Sequence, residues 1–239
     1  MRKDCSEIGF VSGHRFSGAA EHFFNRPFRG CDIWSVTSYY EIDERPTIRI
    51  LRLMSPDHTN RLTHACVKAL THAIRELTSD PRPLILTGND HFFSAGADLN
   101  EIAALTAPSA FEFSKLGQTL MNDIANFPAP VYAAIHGYCM GGGLDLALAC
   151  HRRIAAPNAI FGHRGASLGL ITGWGGTQRL PRLIGEPRTL QMLLTAEKLH
   201  AQEALKIGLI DAIADDPIVA AVEALSTPLD LPTLKDLSS

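Results

Sequence analysis

Two runs of small residues have the types and spacing that indicate chemistry. Residues 93–99 read Phe-Ser-Ala-Gly-Ala-Asp-Leu, and residues 141–145 read Gly-Gly-Gly-Leu-Asp. Each run stands where an apolar strand should give way to a helix, and the first amide groups of a helix have no partner within it. If the two turns meet in space, they present a pair of N–H donors to a developing oxyanion. The sequence therefore predicts chemistry at a carbonyl group.

Asp145 adds a carboxylate to the second turn. The consecutive glycines before it let the backbone approach a ligand closely and adopt positive φ angles. An acid in the first turn of a helix can merely complement the helix dipole. Beside a pair of oxyanion donors, the same carboxylate can act as a general acid or base. The residues alone leave both interpretations open.

The glycine and serine residues do not match the motifs of three other classes of site: a dinucleotide site, a phosphate-binding loop and a serine hydrolase. The glycines lack the GxGxxG spacing of a dinucleotide site, and no Gly-Lys-Ser/Thr follows them as in a phosphate-binding loop. Residues 165–169 fit the GxSxG nucleophile elbow, but the required helix does not follow, since 170–176 contain three glycines. The only histidine after Ser167 is His200, so the chain order also argues against a serine hydrolase.

The histidines predict no metal site, because no HExxH motif and no compact set of ligands occurs. His163 and Arg164 differ from the rest, since they directly precede the glycine-rich loop near the predicted site. A solvated or core role is the alternative interpretation for each of them.

Composition narrows the class of protein. A chain of 239 residues, 46% hydrophobic and 20% charged, suits one large globular domain with a sizeable core. A net charge of −3 argues against nucleic acid as a partner. We expect no membrane segment and no secretory signal, because no apolar run is long enough. The five cysteines form no CxxC pair and indicate reduced thiols, so the cytoplasm is the expected compartment.

The hydrophobic pattern predicts an α/β core in which strand, strand and helix alternate. The expected strands are 35–42, 47–53, 84–88, 131–135, 153–156 and 159–161, and the expected helices are 60–77, 111–127, 144–149, 189–194 and 201–206. Residues 1–35 show no clear period and are predicted to form an N-terminal extension.

Residues 89–99, 130–150 and 161–183 resemble the crotonase (enoyl-CoA hydratase/isomerase) superfamily, as does the stretch 194–210. The resemblance implies an α/β spiral of ββα units over a core at 36–216. The short tail, 217–239, departs from the family pattern and is expected to have a shortened C-terminal helical region. It also implies an enzyme of fatty acid metabolism, a lyase or isomerase, that binds an acyl-CoA thioester without a metal or redox cofactor. The expected assembly is a homotrimer or hexamer.

The resemblance also assigns site residues. The amides of Ala97 and Gly142 match the family's oxyanion donors, and Asp145 matches a proton-handling carboxylate. Each such donor is worth roughly 3 kcal/mol in a dry, preorganised site. The turn at 56–60 is similar to the family's first substrate-lining loop. The substrate-binding positions implied by the motifs are Ser94, Gly96, Asp98, Leu99 and Gly141.

Two departures bear on the reaction. Hydratases of the family place a glutamate at position 145 and a second glutamate where this chain has Gly165. Losing a general acid or base removes a contribution of about 10²- to 10⁴-fold in rate. The candidate auxiliary residues are therefore His163, Arg164 and Gly165, with either of the first two replacing the missing acid. Hydration and double-bond isomerisation stay open, with decarboxylation, thioester hydrolysis and non-catalytic acyl-CoA binding as alternatives.

Overall fold

The computed structural model describes residues 35–36 and 39–226. Within those residues it contains thirteen strands and eight α-helices. The strands are β1 (Ser35–Val36), β2 (Tyr40–Glu44), β3 (Arg49–Leu53), β4 (Arg61–Leu62), β5 (Leu84–Thr87), β6 (Phe92–Ser94), β7 (Gly96–Ala97), β8 (Val131–Ile135), β9 (Tyr138–Met140), β10 (Arg152–Ala155), β11 (Ile160–Gly162), β12 (Leu199–His200) and β13 (Ala212–Ile213). The helices are α1 (His64–Leu77), α2 (Leu99–Ala103), α3 (Ala107–Ala125), α4 (Gly142–Ala149), α5 (Gly176–Ile184), α6 (Glu186–Thr195), α7 (Ala201–Lys206) and α8 (Pro217–Ser226).

The strands form three sheets. The main sheet has the order β1-β2-β3-β5-β8-β10-β13, antiparallel from β1 to β3 and parallel from β3 onward. A smaller sheet has the order β12-β11-β9-β6, in which β6, β9 and β11 are parallel. A third sheet pairs β4 with β7. Every residue of β5 and β8 is buried, as expected for parallel strands covered on both faces.

Consecutive strands alternate between the two larger sheets. β5, β8 and β10 lie in the main sheet, whereas β6, β9 and β11, which follow them, lie in the smaller sheet. Helices follow each pair, which confirms the predicted α/β class and the ββα repeat. Because β6, β9 and β11 run side by side in the same direction, the turns that leave their carboxyl ends meet at one edge of the smaller sheet.

The predicted helix 60–77 was wrong in its first turn. Residues Arg61 and Leu62 instead pair as β4 with β7, and the Thr63 hydroxyl then caps α1 by accepting from the amide of Cys66 at 3.1 Å. The buried face of α1 has the expected helical spacing. The early break matters for the site, because β4 fixes the position of Ala97 in β7.

The bounds of the other predicted strands and helices agree with the structure in some places and differ in others. The strand 131–135 and the helix 201–206 are confirmed at both ends, as β8 and α7. The strand expected over 35–42 is divided between β1 and β2. No helix was predicted at 176–184, where the structure has α5. The division into extension, core and tail stays a prediction. Residues 1–34 of the predicted extension lie outside the described residues. The helix α8 occupies the start of the predicted tail.

Arg153 anchors the segment after α7 to the main sheet. Its buried guanidinium donates to the carbonyl oxygens of Leu209 and Cys150, both at 2.9 Å, and pairs with Asp211 at 3.2 Å. Asp211 also accepts from the amide of Arg153 at 2.8 Å and from the side chain of Arg152 at 2.7 Å. Burial lowers the pKa of the Arg153 guanidinium, and the Asp211 carboxylate opposes that shift.

We expect Asp211→Ala to lower the free energy of unfolding by about 3 kcal/mol, because it leaves the Arg153 charge buried without its counterion. Urea denaturation measures the change. Asp123→Ala is the control, since Asp123 pairs with the exposed Arg75, and such surface pairs contribute only about 0–1 kcal/mol. Equal losses in the two variants would contradict the structural role of Arg153.

Candidate active site

Three turns leave the carboxyl ends of β6, β9 and β11 and build the site. The first leads through Gly96 to Ala97, the second through Gly141 into α4, and the third brings His163 after Gly162. β9 lies between the other two strands, so its turn has a neighbour on each side. This arrangement places the residues of the two predicted glycine motifs together with His163.

The first turn is held from within the protein. The buried hydroxyl of Ser94 donates to the carbonyl oxygen of Asn60 at 2.7 Å and accepts from the amide of Gly96 at 3.1 Å. Asn60, in the turn predicted to line the substrate, in turn donates through its side chain to the carbonyl oxygen of Phe92 at 2.8 Å. Ser94 thus fixes the backbone that carries Ala97, whereas its substrate-binding role stays a prediction.

Asp98 and Leu99 follow Ala97 into α2. Asp98 caps that helix, accepting from the amides of Asn100 and Glu101 at 2.9 and 3.1 Å. The Glu101 amide and the nearby Arg61 guanidinium hold the pKa of Asp98 below its ordinary value. Leu99 is half exposed, so its apolar side chain is available for contact with a ligand.

The second turn presents the amino end of α4. Gly141 has a φ of 52° and donates its amide to the carbonyl oxygen of Gly162 at 2.9 Å, which ties this turn to the third. Gly142 is the first residue of α4, where an amide has no acceptor within the helix. A Cβ at Gly143 would lie 2.6 Å from the carbonyl oxygen of Ser94, so the absence of a side chain lets the first two turns touch.

The amides of Ala97 and Gly142 lie at the junction of these turns. Gly96 has a φ of 90°, and a Cβ there would lie 2.9 Å from the Gly142 nitrogen and 2.5 Å from the Met140 carbonyl oxygen. A Cβ at Gly142 would lie 3.3 Å from the Ala97 nitrogen. The structure therefore places the two predicted donors close together, as an oxyanion hole needs, while their role stays a prediction.

Asp145 lies one turn further along α4 and is almost fully buried. The hydroxyl of Thr172 donates to its Oδ2 atom. On the other side, the Nε2 atom of buried His163 lies 3.3 Å from its Oδ1 atom. Gly176 closes the cluster, because a Cβ there would collide with Asp145 Oδ1 and lie 2.9 Å from His163 Nε2.

The facing atoms of Asp145 and His163 are not aligned for a hydrogen bond. Among the described residues neither Oδ1 of the acid nor Nε2 of the imidazole has any hydrogen-bond partner. A buried polar atom left unpaired costs about 1–3 kcal/mol. Two such atoms in contact make this cluster a candidate functional site.

Arg164 and Gly165, the other candidate auxiliary residues, do not join this cluster. The side chain of Arg164 is exposed at the start of a short 3-10 helix, Gly165–Leu168. A Cβ at Gly165 would lie 2.6 Å from the backbone oxygen of Leu170, so a glutamate side chain does not fit this loop. Of the three candidates, His163 is the residue that the structure places beside Asp145.

Sequence reasoning missed Thr172, Trp174 and Arg179. Trp174 packs its ring on Gly142, and Arg179 donates to the Trp174 carbonyl oxygen at 3.3 Å. Burial lowers the pKa of Arg179, while the charge of Asp145 acts in the opposite direction. The available signal was the density of glycines in 165–176, which indicates a tightly packed loop without identifying what it packs against.

The described part of the chain offers no alternative centre based on a metal. No group of three or more His, Cys, Asp or Glu residues there could hold a metal ion. Its cysteines Cys66, Cys139 and Cys150 are free and buried, and burial raises the pKa of Cys66 and of Cys150 to about 12. None of the helices between residues 39 and 226 is long and apolar enough to cross a membrane.

Comparison with known proteins identifies the family. A family model described as enoyl-CoA hydratase/isomerase matches residues 43–226. The chain belongs to the enoyl-CoA hydratase/isomerase family. The match includes all three turns and the loop that carries Thr172, so this family member has its candidate site within the shared region.

Solved structures with this fold agree with the family assignment. An enoyl-CoA hydratase from Bacillus anthracis is 34% identical with a TM-score of 0.75, over 79% of this chain and 75% of that one. DspI from Pseudomonas aeruginosa is 33% identical with a TM-score of 0.76, over 80% and 75%. An enoyl-CoA hydratase from Thermoplasma volcanium is 32% identical with a TM-score of 0.76, over 80% and 79%. The enoyl-CoA hydratase/isomerase fold of the chain follows from these similarities.

Proposed function

We propose that this protein is an acyl-CoA enzyme that stabilises a thioester enolate and moves a proton at the α-carbon. The amides of Ala97 and Gly142 hold the enolate oxygen, and Asp145 takes and returns the proton. The observation that carries the proposal is the junction of the first two turns, with the Gly142 amide at the start of α4 and a buried carboxylate one turn later.

Double-bond isomerisation suits this arrangement best. Asp145 removes a proton from the α-carbon of a 3-enoyl thioester, and the electron pair moves onto the thioester oxygen, giving a dienolate held by the two amides. The same carboxyl group returns its proton to the γ-carbon, so the double bond moves from C3–C4 to C2–C3. One carboxylate completes this cycle, which agrees with a loop that has no room for a glutamate at Gly165.

Hydration is the second candidate, because His163 lies 3.3 Å from Asp145. A neutral imidazole can activate a water molecule while the carboxyl group handles the proton at the α-carbon. Names of solved relatives, such as the enoyl-CoA hydratase from Bacillus anthracis, point the same way. The shortened acid at position 145 and the absence of a second one are the reasons for ranking hydration below isomerisation.

Neither reaction requires a metal or redox cofactor, because only protons or water are exchanged and coenzyme A enters as part of the substrate.

The assembly is proposed to be a homotrimer or hexamer, which light scattering at several protein concentrations tests. The thioester specificity is tested by comparing the affinity for an acyl-CoA with that for free coenzyme A.

A single assay separates the candidate functions. The purified protein is incubated in D₂O with a 3-enoyl-CoA or with a 2-enoyl-CoA, and the products are followed by mass spectrometry. We expect conversion of the 3-enoyl to the 2-enoyl thioester, with deuterium entering at the α- and γ-carbons in those turnovers in which the protonated carboxyl group exchanges with solvent before it returns the proton. Addition of one molecule of D₂O to the 2-enoyl thioester, with deuterium at the α-carbon, assigns hydration instead.

Two results would contradict enolate chemistry altogether. Acyl-CoA binding without isomerisation, hydration or deuterium exchange makes the protein a non-catalytic binder. Release of free coenzyme A without exchange at the α-carbon makes it a thioester hydrolase, in which the two amides stabilise a tetrahedral oxyanion and not an enolate.

A further inference from the structure

The indole of Trp174 lies in a slot between two glycines on different helices. A Cβ at Gly142 in α4 would lie 2.5 Å from Cζ3 of the ring and 2.7 Å from Cε3. A Cβ at Gly117 in α3 would collide with the opposite, pyrrole edge of the same ring. Any larger residue at either position would displace the indole. The two glycines therefore provide the space that the ring fills.

Three contacts fix the orientation of the ring. The indole Nε1 atom donates to the carbonyl oxygen of Phe113 at 3.2 Å. The centroid of the Phe113 ring lies 5.1 Å from that of the indole. The backbone oxygen of Trp174 accepts from the Arg179 guanidinium at 3.3 Å. With only 4% of the residue exposed, the indole is held in one orientation beside the amino end of α4.

The benzene edge of the ring points toward the pair of amides. The position that a Cβ at Gly142 would occupy is 2.5 Å from the ring and 3.3 Å from the Ala97 nitrogen. The ring therefore packs directly on Gly142, and the Ala97 amide lies on another side of the same glycine. The opposite edge of the indole packs on Gly117 and Phe113 of α3.

We propose that Trp174 is a specificity-determining residue that restricts the protein to thioesters with short acyl groups. This inference rests on the proposed function, because it assumes that the thioester oxygen is held at Ala97 and Gly142. An acyl chain that leaves the carbonyl carbon on the side of α3 meets the indole after a few carbon atoms. Removing the ring opens that path into the space between α3 and α4.

The test is a series of saturated acyl-CoA thioesters of increasing chain length, with affinity measured by titration calorimetry for the natural protein and for Trp174→Ala. We expect the natural protein to gain no affinity beyond a short acyl group. In Trp174→Ala we expect affinity to rise about fourfold for each of the next few methylene groups, the usual effect of burying them. Phe111→Ala, which removes an exposed ring from α3, is the control and should leave the profile unchanged.

A second measurement covers the case in which Trp174→Ala does not fold. The chain has two tryptophans, so Trp34→Phe leaves Trp174 as the sole indole fluorophore. We expect short acyl-CoA thioesters to change its emission, whereas free coenzyme A does not. Trp174→Phe keeps an aromatic ring but a smaller one, and should extend the accepted chain by less than Trp174→Ala does.

The outcomes separate this inference from the proposed function. Identical chain-length profiles with and without the indole, or emission that no thioester alters, overturn the role of Trp174 even where isomerisation proceeds. A changed profile without any turnover supports the role of Trp174 and overturns the proposed function. No binding of any thioester overturns both.

Discussion

Gly96→Ala is expected to lose nearly all activity and to lower the free energy of unfolding by about 3 kcal/mol. The φ of 90° at Gly96 disfavours any side chain, and the new Cβ would lie 2.5 Å from the carbonyl oxygen of Met140 and 2.9 Å from the Gly142 nitrogen. Both neighbours are backbone atoms, so the two turns must move apart. A displacement of about 1 Å between reacting groups can cost about 10²-fold in rate.

Gly169→Ala separates this effect from backbone strain alone. Gly169 also has a positive φ, 70°, but a Cβ there would have no atom within 4 Å. We expect it to cost about 1 kcal/mol in urea denaturation and to leave deuterium exchange at the α-carbon unchanged. If the two variants lose equal stability and equal activity, the contact between the turns does not organise the site.

The hydrophobic pattern of the sequence was sufficient to predict the elements whose stability depends mainly on their own residues. The buried strand β8 and the helix α7 were predicted at both ends, because each has an uninterrupted pattern bounded by turn residues. The helix α5 was not predicted, since Gly176 at its first position and Pro181 in its interior lower helix propensity. Its packing on α4 and α6 supplies what the local sequence lacks.

The residues of the candidate site likewise fall into those that the sequence could predict and those that it could not. Ala97, Gly142 and Asp145 could be selected from the sequence because each stands at a strand-to-helix turn whose residue types carry the signal. Thr172 and Trp174 could not, since they act on Asp145 and Gly142 from about thirty positions away in a loop without periodicity. The parallel order of β6, β9 and β11, which brings the turns together, is a property of the sheet and not of any one segment.

Asp145→Asn is expected to slow isomerisation and α-carbon exchange by about 10²- to 10⁴-fold, the usual contribution of a general acid or base. Asparagine has nearly the same shape, and its amide oxygen can still accept from the Thr172 hydroxyl, so the packing around α4 is preserved. Acyl-CoA affinity should therefore stay close to that of the natural protein. Single-turnover rates in D₂O, with affinity measured by calorimetry on the same samples, give both quantities.

Two further variants decide whether the proton is handled by Asp145 itself. Asp123→Asn removes a partly exposed carboxylate on α3 that pairs with Arg75 and should leave the rate unchanged. His163→Gln removes the imidazole whose Nε2 atom lies 3.3 Å from Asp145 Oδ1. If Asp145→Asn keeps full activity while His163→Gln loses it, the base is the imidazole, and the carboxylate only orients it. If Asp145→Asn is inactive and His163→Gln retains isomerisation but loses hydration, the carboxylate moves the proton and the imidazole serves the water.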